Sequence, residues 1–392
     1  LKKRICMIGS GTAGLQLAYA LKDDFAVTVV QPRSAEEIRQ GRIMSTQVHF
    51  GEARNREIRY GMPQWPDSPP IVSVHLTIGD QKLLTGMLKE AAVSVDQRLY
   101  WTACMEDLEA KGVTFRWGRI PKEKAGDLVR EFDLVIDCTG KQGPLFPFQP
   151  VPELTRFDAP RRKCIVGYFV GVKPLEPLGV SATIIPEMGE MFEIPALTEY
   201  GPVTILFIEA IPDRELDVFK GIKEGEAFAG KMKEVVQRFF PGIAERIDEQ
   251  TFALCDENAF LQTAVTPVIR KPYTMRDGRL VVACGDSAFL NDPITGQGCN
   301  LASYCAEQLA DTIREHARSA WDEAMGEDYW QRVRGRVREV TEWTNAMTQP
   351  LPQHVVQFLL GTPGDQQKAD QVAGWFAHPD TAHRSFFPDA TP

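Results

Sequence analysis

A chain of 392 residues is long for one compact core and predicts two domains, or one domain carrying large insertions. Hydrophobic residues make up 43% and charged residues 25%, and the net charge of −9 argues against nucleic acid or an anionic membrane surface as the main partner. No apolar run approaches the roughly 18 residues needed to cross a bilayer, and Lys2, Lys3 and Arg4 precede a strand too short for a signal peptide.

The first element is the apolar strand of Ile5, Cys6, Met7 and Ile8. It ends in Gly9, Gly11 and Gly14, the spacing G-x-G-x-x-G, and Leu15 to Lys22 then reads as a helix. A second β-branched run, Val27 to Val30, completes a β-α-β unit. Gly9 permits the tight turn, Gly11 lets the backbone approach a pyrophosphate, and Gly14 lets the helix pack closely on the strand. The helix start at Thr12 and Ala13 offers unpaired N–H groups and a positive dipole end to phosphates. The second strand ends at Gln31, where an NAD enzyme carries an acid for the ribose hydroxyls; Glu36 and Glu37 come too late, which leaves FAD as the better dinucleotide. Arg42 is available for a phosphate.

Residues 45–95 mix short β-like pieces with breaks at Pro63, Pro66, Pro69 and Pro70. No helix of any length is expected there, and the stretch reads as an insertion that leaves the nucleotide domain and returns. A helix then opens near Val95 and runs to about Ala110, capped by Gly112, followed by a strand over Val113–Trp117 and a buried strand closing on Thr139 and Gly140. From Arg162 the pattern changes to repeated strands at 164–172, 180–185, 191–194 and 203–211, punctuated by Gly and Pro as in an antiparallel sheet. An amphipathic helix over 223–240 stops at Pro241. Strands are predicted at 263–269 and 279–284. Leu301, Cys305, Leu309 and Ile313 then share one helix face, and further helices follow at about 320–348, 352–360 and 366–377. The final residues, with Pro379, Pro388 and Pro392, read as an unstructured tail. There is no second G-x-G-x-x-G and hence no visible nicotinamide domain. Eight cysteines without a C-x-x-C pair read as buried reduced thiols, which points to a cytoplasmic protein.

The second informative constellation runs from Leu280 through Gly285 and Asp286 to Asp292, Pro293, Gly296, Gly298 and Asn300. A strand ends on an acid that can accept from sugar hydroxyls, and a Gly-rich turn opens a helix whose N–H groups can face an electron-rich flavin edge. This G-D…P-x-x-G-x-G-x-N arrangement resembles the FAD-dependent aromatic hydroxylases. With Arg4–Leu15, Val95–Tyr100, Cys138–Lys141, Asp292–Tyr304 and Glu342–Asn345, the chain is similar over most of its length to the styrene/indole monooxygenases. These are oxygenase components of two-component flavoprotein systems.

The resemblance implies FAD, reduced by a separate NADH:flavin oxidoreductase, and O₂ activated as a flavin C4a-hydroperoxide that epoxidises a small aromatic substrate such as indole or styrene. It implies FAD contacts at Gly9, Gly11, Thr12, Ala13, Gly14, Arg42, Arg98, Asp286, Pro293, Gly296, Gly298 and Asn300. Ser45 and Asn300 would act at the flavin edge, and Gln47, His49, Val72, His75 and Ala92 would line the substrate pocket. Ser45, Gln47 and Val72, with Ala92, match indole-type members, whereas His49 and His75 look more like the styrene type, so the pattern leans to indole. No metal, nucleic acid or membrane is expected, and a homodimer is allowed.

Two other readings stand beside this one: a single-component NAD(P)H-dependent aromatic hydroxylase, and a non-redox binding protein on the same scaffold. The expected fold class is α/β. A Rossmann-like FAD-binding domain comprises 1–45, 94–155 and 262–310. An inserted antiparallel-sheet (α+β) substrate domain comprises 46–93 and 156–261, with C-terminal helices and tail over 311–392.

Overall fold

The computed structural model describes residues 2–389. Two sheets organise it. The first has six strands in the order Tyr273–Arg276, Arg279–Ala283, Leu134–Asp137, Arg4–Ile8, Ala26–Gln31 and Thr114–Trp117. All neighbours run parallel except the first pair, which is antiparallel. Parallel strands must be covered on both faces, and the near-continuous apolar runs here meet that need. Ile5, Met7, Val29, Val135, Ile136, Val281 and Val282 are all buried. The helices Thr12–Leu21 and Gly298–Glu315 pack beside each other against this sheet.

The second sheet has eight strands. Its path runs Ala253–Leu254, Lys163–Val170, Gly201–Ala210, Gly189–Thr198, Gly179–Ile185, Ile71–Ile78 and Gln81–Ala92, and Phe260–Ala264 also pairs with Lys163–Val170. Alternation along these strands makes two apolar faces. Ile165, Phe169, Leu206 and Ile208 lie under Phe228, Met232 and Val236 of the helix Gly225–Phe239. Cys164, Val166, Tyr168, Ile194, Ala196, Ile205 and Phe207 join Val48, Phe50, Ile71 and Ala92 on the other face. Beyond the last strand, Trp343, Leu359, Trp375 and Phe386 close over Leu83 and Leu84. A side chain at Gly86 would meet the Ala369 carbonyl oxygen at 2.1 Å, so a glycine there lets the helix Gln366–Ala377 seat on the sheet.

Four expectations are corrected. Residues 45–95 do contain a helix, Gly51–Arg59. Its inward positions include Arg56 and Glu57, so it carries no apolar stripe; Arg56 is held instead by Glu307 at 2.7 Å and by Glu52. The tail contains the helix Pro379–Phe386, in which Pro379 occupies the first turn, where its missing N–H costs nothing, and Ala382 and Phe386 are buried. The strand expected at 263–269 is two pieces, Phe260–Ala264 and Val268–Ile269, separated at Pro267 and belonging to different sheets. The second sheet is not purely antiparallel: Ile71–Ile78 runs parallel to Gly179–Ile185. These two segments reach the sheet about a hundred residues apart in sequence, so no hairpin fixes their relative direction.

Candidate active site

The first glycine turn is shaped by contacts that a side chain would destroy. Gly9 has φ +112°, and a Cβ there would lie 2.2 Å from the Cys138 carbonyl oxygen. A Cβ on Gly14 would lie 2.2 Å from the Gly9 carbonyl oxygen. Gly11 differs: its backbone is extended (φ −78°, ψ −172°) and the nearest atom to a Cβ would be Trp101 at 3.8 Å. Space is therefore kept at Gly11, while at Gly9 and Gly14 it is already filled. No side chain caps the helix that begins at Thr12, so its first N–H groups remain for a ligand. Gln31 donates to Ser10, which makes the end of the second strand a support for the turn.

The second glycine turn lies against the first. Gly285 has φ +76°, and a Cβ there would stand 3.1 Å from Cβ of Ala13. Asp286, next in the chain, accepts no hydrogen bond from any described residue, and burial pushes its carboxyl up to about 6, partly countered by Lys141. A half-buried carboxylate with no hydrogen-bond partner among the described residues suits the hydroxyl of a ligand. Past Pro293, Gly296 adopts φ +63° and is exposed, as is Gly298. The 18-residue helix Gly298–Glu315 starts with no side-chain cap, a second uncapped positive terminus.

Asn300 joins this turn to the 48–50 segment. Its Oδ1 accepts from Phe50 N at 3.1 Å, and its Nδ2 donates to the carbonyls of Val48 at 2.9 Å and Gly296 at 3.2 Å. His49 between them pairs its backbone with Val93 (2.8 and 3.1 Å) and its Nδ1 with Glu57, which also accepts from Tyr100 at 3.0 Å. His49 Nε2 is buried without a partner. Gln47 accepts from Gln97 at 3.2 Å and lies 3.5 Å from Thr12 Oγ1, linking the first glycine helix to the helix Gln97–Ala110. Ser45 is exposed; its carbonyl accepts from the Tyr168 hydroxyl at 3.2 Å.

Other expected residues lie elsewhere. Arg42 is exposed, its guanidinium over Phe260 at 4.3 Å. Arg98 is buried and bonded within the chain to Asp96 (2.7 Å), Asp256 (2.8 Å) and the Gly41 carbonyl (3.1 Å). Burial opposes its charge, and the two carboxylates outweigh that and keep it protonated. His75 has both ring nitrogens engaged: Nε2 faces the Pro177 carbonyl at 2.8 Å and Ser73 at 3.0 Å, and Nδ1 faces Thr85 at 3.2 Å. Burial lowers its pKa, favouring the neutral ring that fits these partners. Val72, on the same strand, is half-buried, and Ala92 pairs with Ile71 in the apolar face. Glu57, Gln97 and Tyr100 carry the geometry around His49 and Gln47 and were missed. Gln97 and Tyr100 stand in the conspicuous Val95–Tyr100 motif, but nothing around Glu57 in sequence distinguishes it from a surface acid.

Two glycine turns meeting over uncapped helix ends, beside a parallel sheet and an apolar antiparallel face, define an FAD-dependent monooxygenase scaffold. Gly11, Asp286 and Gly298 fit the dinucleotide. The solved structure of "pqsL, a probable FAD-dependent monooxygenase from Pseudomonas aeruginosa" superposes with a TM-score of 0.66 over 94% of this chain and 99% of that one, at 16% identity, a likeness of fold. The family model "Styrene monooxygenase A putative substrate binding domain" matches residues 140–246. Styrene monooxygenase StyA of Pseudomonas sp and that of Pseudomonas fluorescens are each 32% identical over 97% of this chain and 94% of the relative. The chain belongs to the styrene monooxygenase family, and its cofactor is FAD. Among the described residues no helix is long and apolar enough to cross a membrane.

Proposed function

We propose that the chain is the oxygenase component of a two-component system that epoxidises indole or a styrene-like aryl alkene. A separate NADH:flavin oxidoreductase would deliver its FAD already reduced. When bound, reduced FAD supplies the electrons that activate O₂; the rest is the work of this chain's side chains. The single observation that carries the reading is the Asn300 clamp, which ties the second glycine turn to Val48 and Phe50, members of the apolar cluster on the second sheet. A flat aromatic substrate would lie against that face with its π bond held near the flavin edge. The apolar side chains there, Ile71, Ala92, Ile194, Ala196 and Ile205, would keep water out.

The lean toward indole rests on Ser45, Gln47 and Val72. His49, set between Val48 and Phe50 with its ring 5.1 Å from Tyr100 and its buried Nε2 without a partner among the described residues, is the polar group next to this wall that would orient a substrate or an oxygen. His75 serves as a wall residue held by Ser73, Thr85 and Pro177. All eight cysteines are free thiols, which supports a reducing, cytoplasmic setting.

The test mixes the purified protein with reduced FAD without oxygen, then adds oxygenated buffer with and without indole or styrene. Product epoxide, or indigo from indole, at the expense of hydrogen peroxide is expected, with no NADH oxidation by the protein alone. Stoichiometric peroxide unaffected by either substrate would refute the reading. Direct NADH oxidation would favour a single-component hydroxylase.

A further inference from the structure

Glu209 is fully buried near the end of the strand Gly201–Ala210, and neither of its carboxyl oxygens finds a donor among the described residues. Its neighbours across the sheet are Cys164 on one side and Glu190 on the other. Within hydrogen-bonding reach lies the carboxyl of Asp292, the residue before Pro293 in the second glycine turn. Asp292 is 3% exposed; its Oδ1 accepts from Ile294 N at 3.0 Å, and its Oδ2 has no donor among the described residues. Among the described residues the cation that faces the group is Arg162, and it is committed to Glu190 through two bonds of 2.7 and 2.9 Å. Three buried carboxyls therefore share one guanidinium, and full ionisation would leave two uncompensated charges in a dry interior.

We infer that Glu209 and Asp292 share one proton, and that Glu209, as the donor to Asp292 Oδ2, positions the second glycine turn from the substrate-side sheet. The hydrogen bond uses both orphan groups at once and reduces the buried charge by one. Burial, reinforced by Asp292, pushes the Glu209 carboxyl well above the ordinary carboxylate range, and burial raises Asp292 as well, both in the direction that favours holding the shared proton. Loss of that proton sets two carboxylates against each other and drives the 291–296 turn away from the sheet. Glu209 and Asp292 are thus positioning residues, acting through the turn that carries Pro293, Gly296 and Asn300. The role of the turn rests on the flavin reading above; the shared proton does not.

Two measurements on the intact protein separate them. Infrared difference spectroscopy should show the carbonyl stretch of a protonated carboxylic acid at neutral pH. Glu209→Gln should remove it, and Asp292→Asn should shift it, because the acid then faces an amide. FAD titration on the alkaline side of neutrality, above Asp286 at about 6, should show wild-type affinity falling as the pair ionises, by about tenfold per pH unit once past its midpoint. Glu209→Gln keeps a donor toward Asp292 that cannot ionise, so its affinity should change by less than about twofold over the same range. A band that survives Glu209→Gln or is unmoved by Asp292→Asn overturns the shared proton. An equal alkaline loss in wild type and Glu209→Gln overturns the positioning role. Failure of every form to bind FAD would refute the flavin reading and leave the infrared result to judge the proton by itself.

Discussion

Gly11 and Gly14 sit three residues apart in one motif, yet the structure gives them opposite roles that a pair of alanine substitutions separates. At Gly14 the new Cβ would stand 2.2 Å from the Gly9 carbonyl oxygen, 3.2 Å from the Gly9 carbonyl carbon and 3.4 Å from Cys138 Cβ. Two of these are backbone atoms of a turn pinned by the bond from Gly9 N to the Val30 carbonyl (2.8 Å), so relief requires the helix to move off the sheet. Overpacking of this kind costs about 1–3 kcal/mol, offset by about 1 kcal/mol from the higher helix propensity of alanine. A net loss of up to about 2 kcal/mol should lower the melting temperature by up to a few degrees in a chain of this size.

At Gly11 the backbone angles suit any L residue and the nearest atom is at 3.8 Å, so alanine should leave stability unchanged or raise it by up to about 1 kcal/mol. The methyl would instead occupy the space where a pyrophosphate approaches the backbone, and a loss of about 1.4–2.8 kcal/mol means affinity for FAD weaker by about ten- to a hundredfold. Thermal melts of the FAD-free protein and a flavin-fluorescence titration read the two effects independently. Wild-type FAD affinity in Gly11→Ala would refute the assignment of that space to the dinucleotide, and a wild-type melt for Gly14→Ala would refute the packing argument.

Asn300→Asp removes the donors to Val48 O and Gly296 O and sets an anionic oxygen against both carbonyls, a loss of about 1–3 kcal/mol. Product should fall relative to peroxide in an oxygen-consumption assay with indole; an unchanged ratio would remove Asn300 from the site. The Asp286 carboxyl, raised to about 6, should accept from a bound flavin more strongly when ionised, so FAD affinity should weaken as pH falls through about 6 and become flat in Asp286→Asn. Stability of the FAD-free chain should show the opposite sign from this group: a raised carboxyl binds its proton more readily when folded, so its stabilising contribution is full below about 3.9 and fades as pH rises through about 6. His75→Leu removes the ring's bonds to the Thr85 hydroxyl and to the Pro177 carbonyl, which keeps Ser73 at 2.9 Å, and should cost about 0.5–1.5 kcal/mol. With its folded pKa lowered by burial, native His75 should lose stability as pH falls below about 6.5, a slope the variant should lack in acid melts.

What the sequence revealed, and what it hid, follows from how each element is stabilised. Elements held by their own apolar pattern were legible: the strand Arg4–Ile8 before the glycines, the four strands between 163 and 210, and the helix Gly298–Glu315 with Leu301, Cys305, Leu309 and Ile313 on one face. Glycine turns were legible because backbone approach restricts residue type, and Gly9 and Gly14 show that restriction as 2.2 Å distances. Elements held by partners far away in sequence left no such mark. Helix Gly51–Arg59 looks like solvent-exposed chain until Glu307 is placed beside Arg56, 251 positions later. Arg98 matched a cofactor-binding position, yet its charge is met by Asp256, 158 positions away, a pairing that no local pattern announces. The Glu209–Asp292 pair belongs to the same class. Each acid has an ordinary local setting, one near the end of a strand and the other capping a turn, and only the packing of that turn against the second sheet makes them neighbours. Local signals therefore mark the two glycine turns, while the ion pairs that hold Arg56 and Arg98 join residues far apart in sequence.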